Sequence, residues 1–294
     1  MNEAVIFEGF SYAYPKTEPV LNEIEFAVPR GSFTVITGPS GAGKSTICRA
    51  MAGIVPNYYG GRSAGRVLVD GEDTAGQRIA DLTRFVGLVL DDYESQLVSL
   101  TVEEEVLFGL YNRGLAPAEA LPAMRKALNE VGLTGKEKLR LDELSGGQRQ
   151  RLAIASVLAY KPDVLVLDEA ASALDPEGAE SLYRMLDELR RDYNLTVIVV
   201  EHELTYVLPY ATQMLALVDG RVAACGALDE AFSALWGEEA LRALVPDLWQ
   251  IKFTMEAYLG RTLGEWRTAA DAAAALQTVL TKGDTKEYDQ RRTG

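Results

Sequence analysis

The chain has 294 residues, and its apolar and charged fractions of 48% and 24% are typical of a globular protein with a sizeable core. Its net charge of −14 argues against nucleic acid as the main partner. Two cysteines are too few for a disulfide framework, so a reducing compartment is expected. The N-terminus lacks a signal-peptide pattern and no apolar stretch could span a bilayer, so other chains would supply any membrane spans.

Residues 4–29 alternate apolar and polar positions around a turn at residues 15–19, which predicts antiparallel strands. Tyr12 and Tyr14 stand at the end of the first strand. Either ring could stack on an adenine or simply pack at the sheet edge, and we favour plain packing for Tyr12. Composition alone does not choose Tyr14 for the adenine.

A glycine-rich loop follows a predicted buried strand at residues 33–37 and precedes a stretch that suits a helix. This context is what the G-x-x-x-x-G-K-[ST] pattern requires, so a phosphate-binding P-loop is favoured over an ordinary glycine turn. Backbone N–H groups would converge on phosphate, Lys44 would bridge the β- and γ-phosphates, and Ser45 would take a Mg²⁺ position. The loop consists of Gly38, Pro39, Ser40, Gly41, Ala42, Gly43, Lys44, Ser45 and Thr46.

A second helix N-terminus suited to anions begins at residues 144–148. Ser145 is a capping residue, Gly146 and Gly147 leave the helix amides bare, and Gln148 follows them. A capped structural helix would explain this segment on its own. Beside a P-loop, a second anion site indicates that the two sites meet across two chains, since one nucleotide does not need both.

Two apolar runs, at residues 164–168 and 196–200, are predicted to be buried parallel strands with titratable groups at their carboxyl ends. Asp168 could hold Mg²⁺ through water, and Glu169 could polarise an attacking water. His202 is the single histidine of the chain. A lone histidine is usually structural, but at this sheet edge a γ-phosphate contact is the better hypothesis.

These segments resemble, in order and spacing, the Walker A, signature, Walker B, D-loop and switch-histidine motifs of ABC transporter ATPases. They are Gly38–Thr46, Leu144–Gln148, Val164–Glu169, Ala173–Asp175 and His202. The resemblance covers about residues 3–226, and the signature motif makes it specific. It implies a head-to-tail dimer that sandwiches two ATP, each held by one chain's P-loop and the other chain's signature.

The resemblance also implies roles for individual residues. Tyr14 would stack on adenine, Lys44 and Ser45 would hold phosphate and Mg²⁺, and Asp168 would support the metal. Glu169 would be the general base.

On the same resemblance, His202 would reach the γ-phosphate, and Ser145 and Gly147 would serve the opposite chain's ATP. Asp175 belongs to the D-loop. Within the family, residues 53–61 and 96–106 look most similar to the ATPase subunits of energy-coupling-factor (ECF) or cobalt-type importers.

Two positions depart from the family pattern. Asp91 stands where the family has its Q-loop glutamine, which senses Mg²⁺ and couples to the membrane partner. Aspartate still offers a hard oxygen ligand to the metal but adds charge beside the γ-phosphate. Ala170 replaces a frequent proline, a minor change.

After residue 226 the β-branched runs end, and residues 227–282 predict several short helices that form a C-terminal extension. A comparable tail helps to hold the two ATPases together in ECF transporters. Trp236, Trp249 and Trp266 could serve such an interface or pack privately within the chain. Residues 283–294 are polar and expected to be disordered.

The predicted fold is an α/β P-loop NTPase of the ABC-ATPase type, with an antiparallel β subdomain and a helical subdomain at about residues 92–160. The predicted function is ATP hydrolysis that powers import through a second ATPase, a transmembrane coupling subunit and a substrate-binding membrane subunit. Those partners would hold the chain at the cytoplasmic face of the membrane. The alternatives are a partly degenerate regulatory subunit of a heterodimer and a soluble non-transport ABC ATPase. The transported substrate does not follow from the sequence.

Overall fold

The computed structural model describes residues 2–172 and 174–290, with the backbone alone over residues 280–290. The strands are β1 Glu3–Ala13, β2 Leu21–Pro29, β3 Phe33–Thr37, β4 Arg62–Val69, β5 Glu72–Asp73, β6 Val86–Val89, β7 Val164–Asp168, β8 Thr196–Val200, β9 Gln213–Val218 and β10 Arg221–Gly226. The helices are α1 Lys44–Met51, α2 Ile79–Leu82, α3 Val102–Asn112, α4 Pro117–Glu130, α5 Gly146–Leu158, α6 Pro176–Tyr193, α7 Leu228–Gly237, α8 Asp247–Leu259 and α9 Ala269–Gln290. Within these residues, no helix combines the length and apolar character needed to cross a bilayer.

The larger sheet has the strand order β10-β9-β3-β8-β7-β6, and all its strands except β10 run parallel. β3, β7 and β8 are buried at every residue, as expected for short apolar runs covered on both faces. Because parallel strands end at the same edge of a sheet, the segments after β3, β6, β7 and β8 come together there. These segments carry the P-loop, Asp91, Glu169 and His202.

The smaller sheet is antiparallel with the order β2-β1-β4-β5, which confirms the antiparallel strands predicted at residues 4–29. Its inner face is aromatic, with the rings of Phe7 and Phe26 stacked at 4.6 Å. Tyr12 is buried in the same core, and its hydroxyl donates to the Gly60 carbonyl at 2.6 Å. Plain packing, the favoured interpretation for Tyr12, therefore describes its environment.

Helices α3, α4 and α5 pack on one another beside the larger sheet. A capping box of Thr101 and Glu104 starts α3. Glu105 is buried, and its carboxylate accepts the N–H groups of Val98 and Ser99 at 3.0 and 2.8 Å. This carboxylate therefore anchors the segment that joins the sheet edge to α3. The three helices lie within the predicted helical subdomain, whose boundaries remain a prediction.

The C-terminal extension continues the main hydrophobic core. Phe232 on α7 and Trp249 on α8 are fully buried in the cluster that also holds the helices beside the larger sheet. Their ring centroids are 4.7 Å apart. Trp266 is also buried, whereas Trp236 is only partly buried and stacks on Phe253. Private packing within the chain therefore accounts for Trp249 and Trp266.

A buried lysine joins α8 to α7. The ammonium group of Lys252 pairs with Asp229 at 2.6 Å and with Glu256 at 3.2 Å, and it lies 4.8 Å from the centre of the Trp249 ring. A buried cation is tolerated only where such partners compensate for lost hydration. This ion pair therefore fixes α8 against α7 within the shared core.

The last helix runs through Gln290, whereas the sequence predicted disorder from residue 283. The alanine-rich start at residues 269–275 favours helix nucleation, and elongation then needs little further stabilisation per residue. The prediction of disorder is therefore wrong for residues 283–290. Its remaining part, residues 291–294, lies outside the described residues.

We predict that Trp249→Ala destabilises the whole chain, because the removed indole leaves a cavity in a core shared by the extension and the sheet. The expected loss in the free energy of unfolding is about 3–5 kcal/mol, measured by denaturant unfolding. Tyr258→Ala on the same helix is the control, because Tyr258 is 88% exposed and should change stability by less than about 0.5 kcal/mol. Equal effects of the two substitutions would contradict the shared core.

Candidate nucleotide-binding and catalytic site

The loop between β3 and α1 adopts a conformation that depends on glycine. Gly38 and Gly43 have φ angles of 144° and 101°, and a Cβ atom on Gly38 would lie 2.1 Å from the carbonyl oxygen of Leu217. Gly43 precedes α1 without a side chain to cap it. The positive end of the helix therefore faces the cavity and is available to an anion.

Lys44, the first residue of α1, is buried at this loop. Its Nζ donates to the carbonyl oxygens of Gly38 and Pro39 at 2.9 and 3.0 Å. Burial lowers the pKa of Lys44, and the nearby carboxylates of Glu169 and Asp168 act in the opposite direction. The lysine is thus held by neutral carbonyls that phosphate oxygens, as charged acceptors, could replace.

Asp168 ends β7 and is fully buried. Neither of its carboxylate oxygens has a hydrogen-bond partner among the described residues. Burial raises the pKa of Asp168, the neighbouring Ser45 hydroxyl lowers it, and the charges of Asp91 and Glu169 raise it further.

A bound cation would satisfy these orphaned oxygens. The hydroxyl of Ser45 and the carboxylates of Asp168 and Asp91 are the hard oxygen ligands that suit Mg²⁺. No cluster of three or more metal-binding side chains exists in the described part of the chain. The donor set therefore fits a metal that also takes oxygens from a phosphate or from water, as Mg²⁺ commonly does.

Glu169 and His202 meet beside the P-loop. The Oε1 atom of Glu169 lies 3.0 Å from Nε2 of His202, which is 3.3 Å from Nζ of Lys44. These three side chains line a cavity of about 230 Å³ together with P-loop residues that include Ser45 and Thr46. The structure thus brings a cation, a carboxylate and an imidazole from three strand ends to one anion-binding loop.

Tyr14 lies next to the P-loop helix. Its hydroxyl is 3.4 Å from the Thr46 hydroxyl and accepts from Arg49 at 3.1 Å. The ring is half-buried and meets the ring of Tyr59 edge to face at 5.8 Å. Its ring also contacts the buried Tyr12 ring edge to face at 4.9 Å, so Tyr14 is the more accessible of the two neighbouring tyrosines, and adenine stacking itself remains a prediction.

The signature segment lies apart from this cavity, whose described lining includes none of residues 145–148. Ser145 caps α5, accepting from Gln148 N at 3.3 Å, and the Gln148 side chain accepts from Ser145 N at 3.0 Å. Gly146 and Gly147 follow in the first turn, partly exposed. Their role toward a second chain's nucleotide stays a prediction.

Two further predicted residues lie at the periphery of the site. Asp91 is exposed just after β6, and its negative charge raises the pKa of Asp168. Asp175 is also exposed, and its carboxylate caps α6 by accepting from Gly178 N at 2.8 Å. The D-loop segment that contains it begins at Ala173, which lies outside the described residues.

One functional candidate was missed. Glu201 follows β8 directly, is only 4% exposed, and accepts a hydrogen bond from Ala171 N at 3.2 Å. Burial raises the pKa of Glu201 to about 7. The Tyr183 hydroxyl lowers this pKa, whereas the charges of Glu169 and Asp168 raise it. The available signal was an acidic residue directly after a fully apolar strand, beside a histidine already singled out.

The P-loop, the Glu169 carboxylate and the histidine line one cavity at the edge of the larger sheet. A family model described as ABC transporter matches residues 21–172, just over half of the chain. The chain belongs to the ABC transporter family.

Individual ABC proteins support this membership. The chain is 42% identical over 212 residues to a Streptomyces coelicolor protein assigned to the ABC transporter ATP-binding proteins; the match covers 72% of this chain and 38% of that one. It is 36% identical to the energy-coupling factor transporter ATP-binding protein EcfA1 of Streptococcus thermophilus, over 76% of this chain and 79% of that one.

The structure of cbiO1 from Clostridium perfringens, part of the ABC transporter complex cbiONQ, superposes with a TM-score of 0.72 at 30% identity. The superposition covers 87% of this chain and all of that one. The predicted P-loop ABC-ATPase fold is therefore confirmed, as is the resemblance to ECF-type ATPases. Because this chain spans less than half the length of the Streptomyces coelicolor protein, relatives of this ABC cassette also occur within longer chains.

We predict that Glu201 makes the stability of this ABC cassette depend on pH. Its folded-state pKa of about 7 lies above the ordinary 4.5, so the folded protein binds the extra proton between these values. The stability contribution is fully present below about pH 4.5 and is lost as the pH rises through about 7. The difference corresponds to about 3 kcal/mol.

Glu201→Gln removes this titration while keeping the shape of the side chain. Denaturant unfolding at about pH 5.5 and at about pH 8.5 should show the variant gaining stability relative to wild type at the higher pH. Glu203→Gln, an exposed carboxylate two residues later, is the control. A constant difference between wild type and Glu201→Gln across this range would contradict the assignment.

Proposed function

We propose that the chain is an ATP-hydrolysing subunit that powers import through separate membrane subunits of an ECF-type ABC transporter. The convergence of Lys44, Glu169 and His202 on one P-loop cavity is the observation that carries this proposal. A nucleotide triphosphate would place its phosphates on the loop amides and its terminal phosphate near all three side chains.

Each step of the proposed hydrolysis uses a side chain that already lies at the cavity. Lys44 exchanges its two carbonyl acceptors for phosphate oxygens and stabilises their negative charge. Glu169 accepts a proton from the attacking water, whose oxygen bonds to the γ-phosphorus as the bond to ADP breaks. His202 orients Glu169 and reaches the γ-phosphate. Mg²⁺, held by Ser45 and Asp168, would neutralise phosphate charge.

A second chain would complete the site. Ser145 and Gly147 lie outside the P-loop cavity of their own chain, so their exposed helix terminus is free to meet the partner's nucleotide. In a head-to-tail dimer this arrangement repeats by two-fold symmetry and produces two composite sites. The chain would thus hydrolyse ATP only as a dimer.

Import through membrane partners is supported by the relatives and by the surface near Asp91. Val98 and Leu100, in the segment that leads from this strand end into α3, are each 65% exposed, and Phe108 on α3 is 52% exposed. We expect a membrane partner to cover these side chains. EcfA1 and cbiO1 are named as parts of transporters, and these relatives support the importer class.

The second candidate, a partly degenerate regulatory subunit of a heterodimer, is supported by Asp91 alone. The third, a soluble ABC ATPase that acts on nucleic acid or ribosomes, is disfavoured by the net charge of −14.

We predict that Glu169→Gln reduces steady-state ATP hydrolysis by a factor on the order of 10²–10⁴, because the amide cannot accept the proton from water. ATP binding should persist, and ATP-dependent dimers should accumulate because bound ATP is no longer consumed. Measurements of phosphate release and of molecular mass with and without ATP test both effects. Hydrolysis within a factor of about two of wild type would remove Glu169 from this role.

A second substitution in that background separates binding from dimerisation. Ser145→Arg should abolish the ATP-dependent dimer of the Glu169→Gln protein while the monomer still binds ATP. If the added arginine also weakens ATP binding by the monomer to a similar extent, the signature helix has another role.

We predict that Asp91→Gln raises basal hydrolysis or its coupling to transport several-fold. Aspartate is one methylene shorter than glutamine and cannot donate a hydrogen bond, so geometry at the metal should change. ATP affinity should stay within about an order of magnitude, because the lost repulsion of phosphate and the lost attraction of the metal oppose each other. Parallel assays with and without the membrane partners test this, and identical behaviour would leave the regulatory alternative without its only support.

A further inference from the structure

Glu201 connects three parts of the site. Its backbone N–H donates to the carbonyl of Ile36 at 3.0 Å, on the strand that leads into the P-loop. Its side chain accepts from the backbone of Ala171 at 3.2 Å, and the next residue along the chain is His202. Glu201 thus stands at the junction of the P-loop strand, the histidine loop and the loop after Glu169.

The loop after Glu169 is built on the residue that Glu201 holds. Ala171 donates its N–H to Glu201, and its carbonyl accepts from Leu174 N at 3.0 Å. Asp175 then caps α6. The Glu201 carboxyl therefore holds the start of the segment that leads from Glu169 toward α6.

The backbone at Glu169 is strained. Its φ angle of 54° lies in the left-handed region, which side chains other than glycine, asparagine and aspartate rarely adopt. Two backbone hydrogen bonds hold this turn, from Glu169 N to Val200 O at 3.0 Å and from Ser172 N to Glu169 O at 3.2 Å. The bond from Ala171 to Glu201 adds a side-chain constraint on the backbone of the same turn, beside the contact of the Glu169 side chain with His202.

The side chain of Glu201 lies beside a second cavity. Glu201 and Tyr183 line a cavity of about 250 Å³ that also reaches Glu169 and His202. The Tyr183 hydroxyl is buried, without a partner at ordinary hydrogen-bond distance among the described residues, and it faces Glu201. A buried acidic side chain loses hydration that only hydrogen bonds can offset, and the Ala171 N–H supplies one of them.

We propose that Glu201 is a positioning residue for ATP hydrolysis. By accepting the hydrogen bond of the Ala171 amide, it keeps the strained turn of Glu169 in place beside His202. This inference rests on the proposed hydrolysis at the site. The Glu201 side chain is not among the described residues that line the P-loop cavity, so it acts through Glu169. Loss of the anchor lets the turn relax and moves the base away from the attacking water.

The test compares Glu201→Leu, which removes the acceptor, with Glu201→Gln, which keeps a carbonyl oxygen at the same place. The full-length chain, with any partner ATPase it requires, is assayed for kcat, KM and ATP affinity. Glu201→Leu should lower kcat about ten- to a hundredfold with ATP affinity nearly unchanged, because small displacements of a catalytic group have effects of this size. Glu201→Gln should retain kcat within about threefold.

Glu203→Leu is the matched control, since Glu203 lies on the same loop and its carboxylate contacts Thr205. It should leave kcat at the wild-type value. Amide hydrogen exchange over residues 169–175, without nucleotide, gives a readout independent of turnover. Exchange there should accelerate at least tenfold in Glu201→Leu but not in Glu201→Gln or Glu203→Leu. If Glu201→Leu does not fold, Glu201→Ala takes its place.

Three results would overturn the proposal: unchanged kcat in the Leu variant, equal losses in the Leu and Gln variants, or unchanged exchange over residues 169–175. Failure of the proposed function is distinguishable, because it would appear as a wild-type protein that does not hydrolyse ATP. In that case the exchange measurement alone still decides whether Glu201 holds the turn.

Discussion

The ammonium group of Lys44 compensates the negative charge that the parallel sheet gathers at one edge. Asp168 ends a buried strand, Glu169 follows it, and Glu201 follows the neighbouring strand. Without a cation, their mutual repulsion would act in a poorly hydrated space. The Lys44 ammonium group approaches this edge from the start of α1 and also donates to the carbonyls of the P-loop. One buried cation thus joins the P-loop carbonyls to the acidic edge of the sheet, where burial lowers the pKa of Lys44 and the charges of Glu169 and Asp168 raise it.

This arrangement also explains why an acidic protein can bind an acidic ligand. The net charge of −14 is spread over the surface and is screened by salt within about 10 Å. Inside the cavity, the loop amides and Lys44 set the local potential, because the dielectric there is lower and water is displaced. Global charge thus governs the choice of partners, whereas local geometry governs the ligand.

Much of the fold could be predicted because the strands are short, apolar and bounded by glycine. The P-loop and the ends of β7 and β8 followed from local patterns, and parallel pairing then brought Asp168 and His202 to the same edge. The position of Glu201 after an apolar strand is visible in the sequence, but its hydrogen bond to the amide of Ala171, thirty residues away in the chain, is not. The private burial of Trp249 likewise depends on contacts between helices that no local pattern encodes.

The left-handed backbone at Glu169 costs conformational free energy and so lowers the stability of the fold. Glycine would relax this turn at little cost in packing, so a protein shaped by folding stability alone would gain from losing its glutamate. The same left-handed φ occurs at Glu23 and Lys161, for which no role is assigned, so the angle alone does not mark a catalytic residue. At Glu169 the turn has a further consequence: it directs the first side chain after β7 toward the cavity that Lys44 and His202 also line.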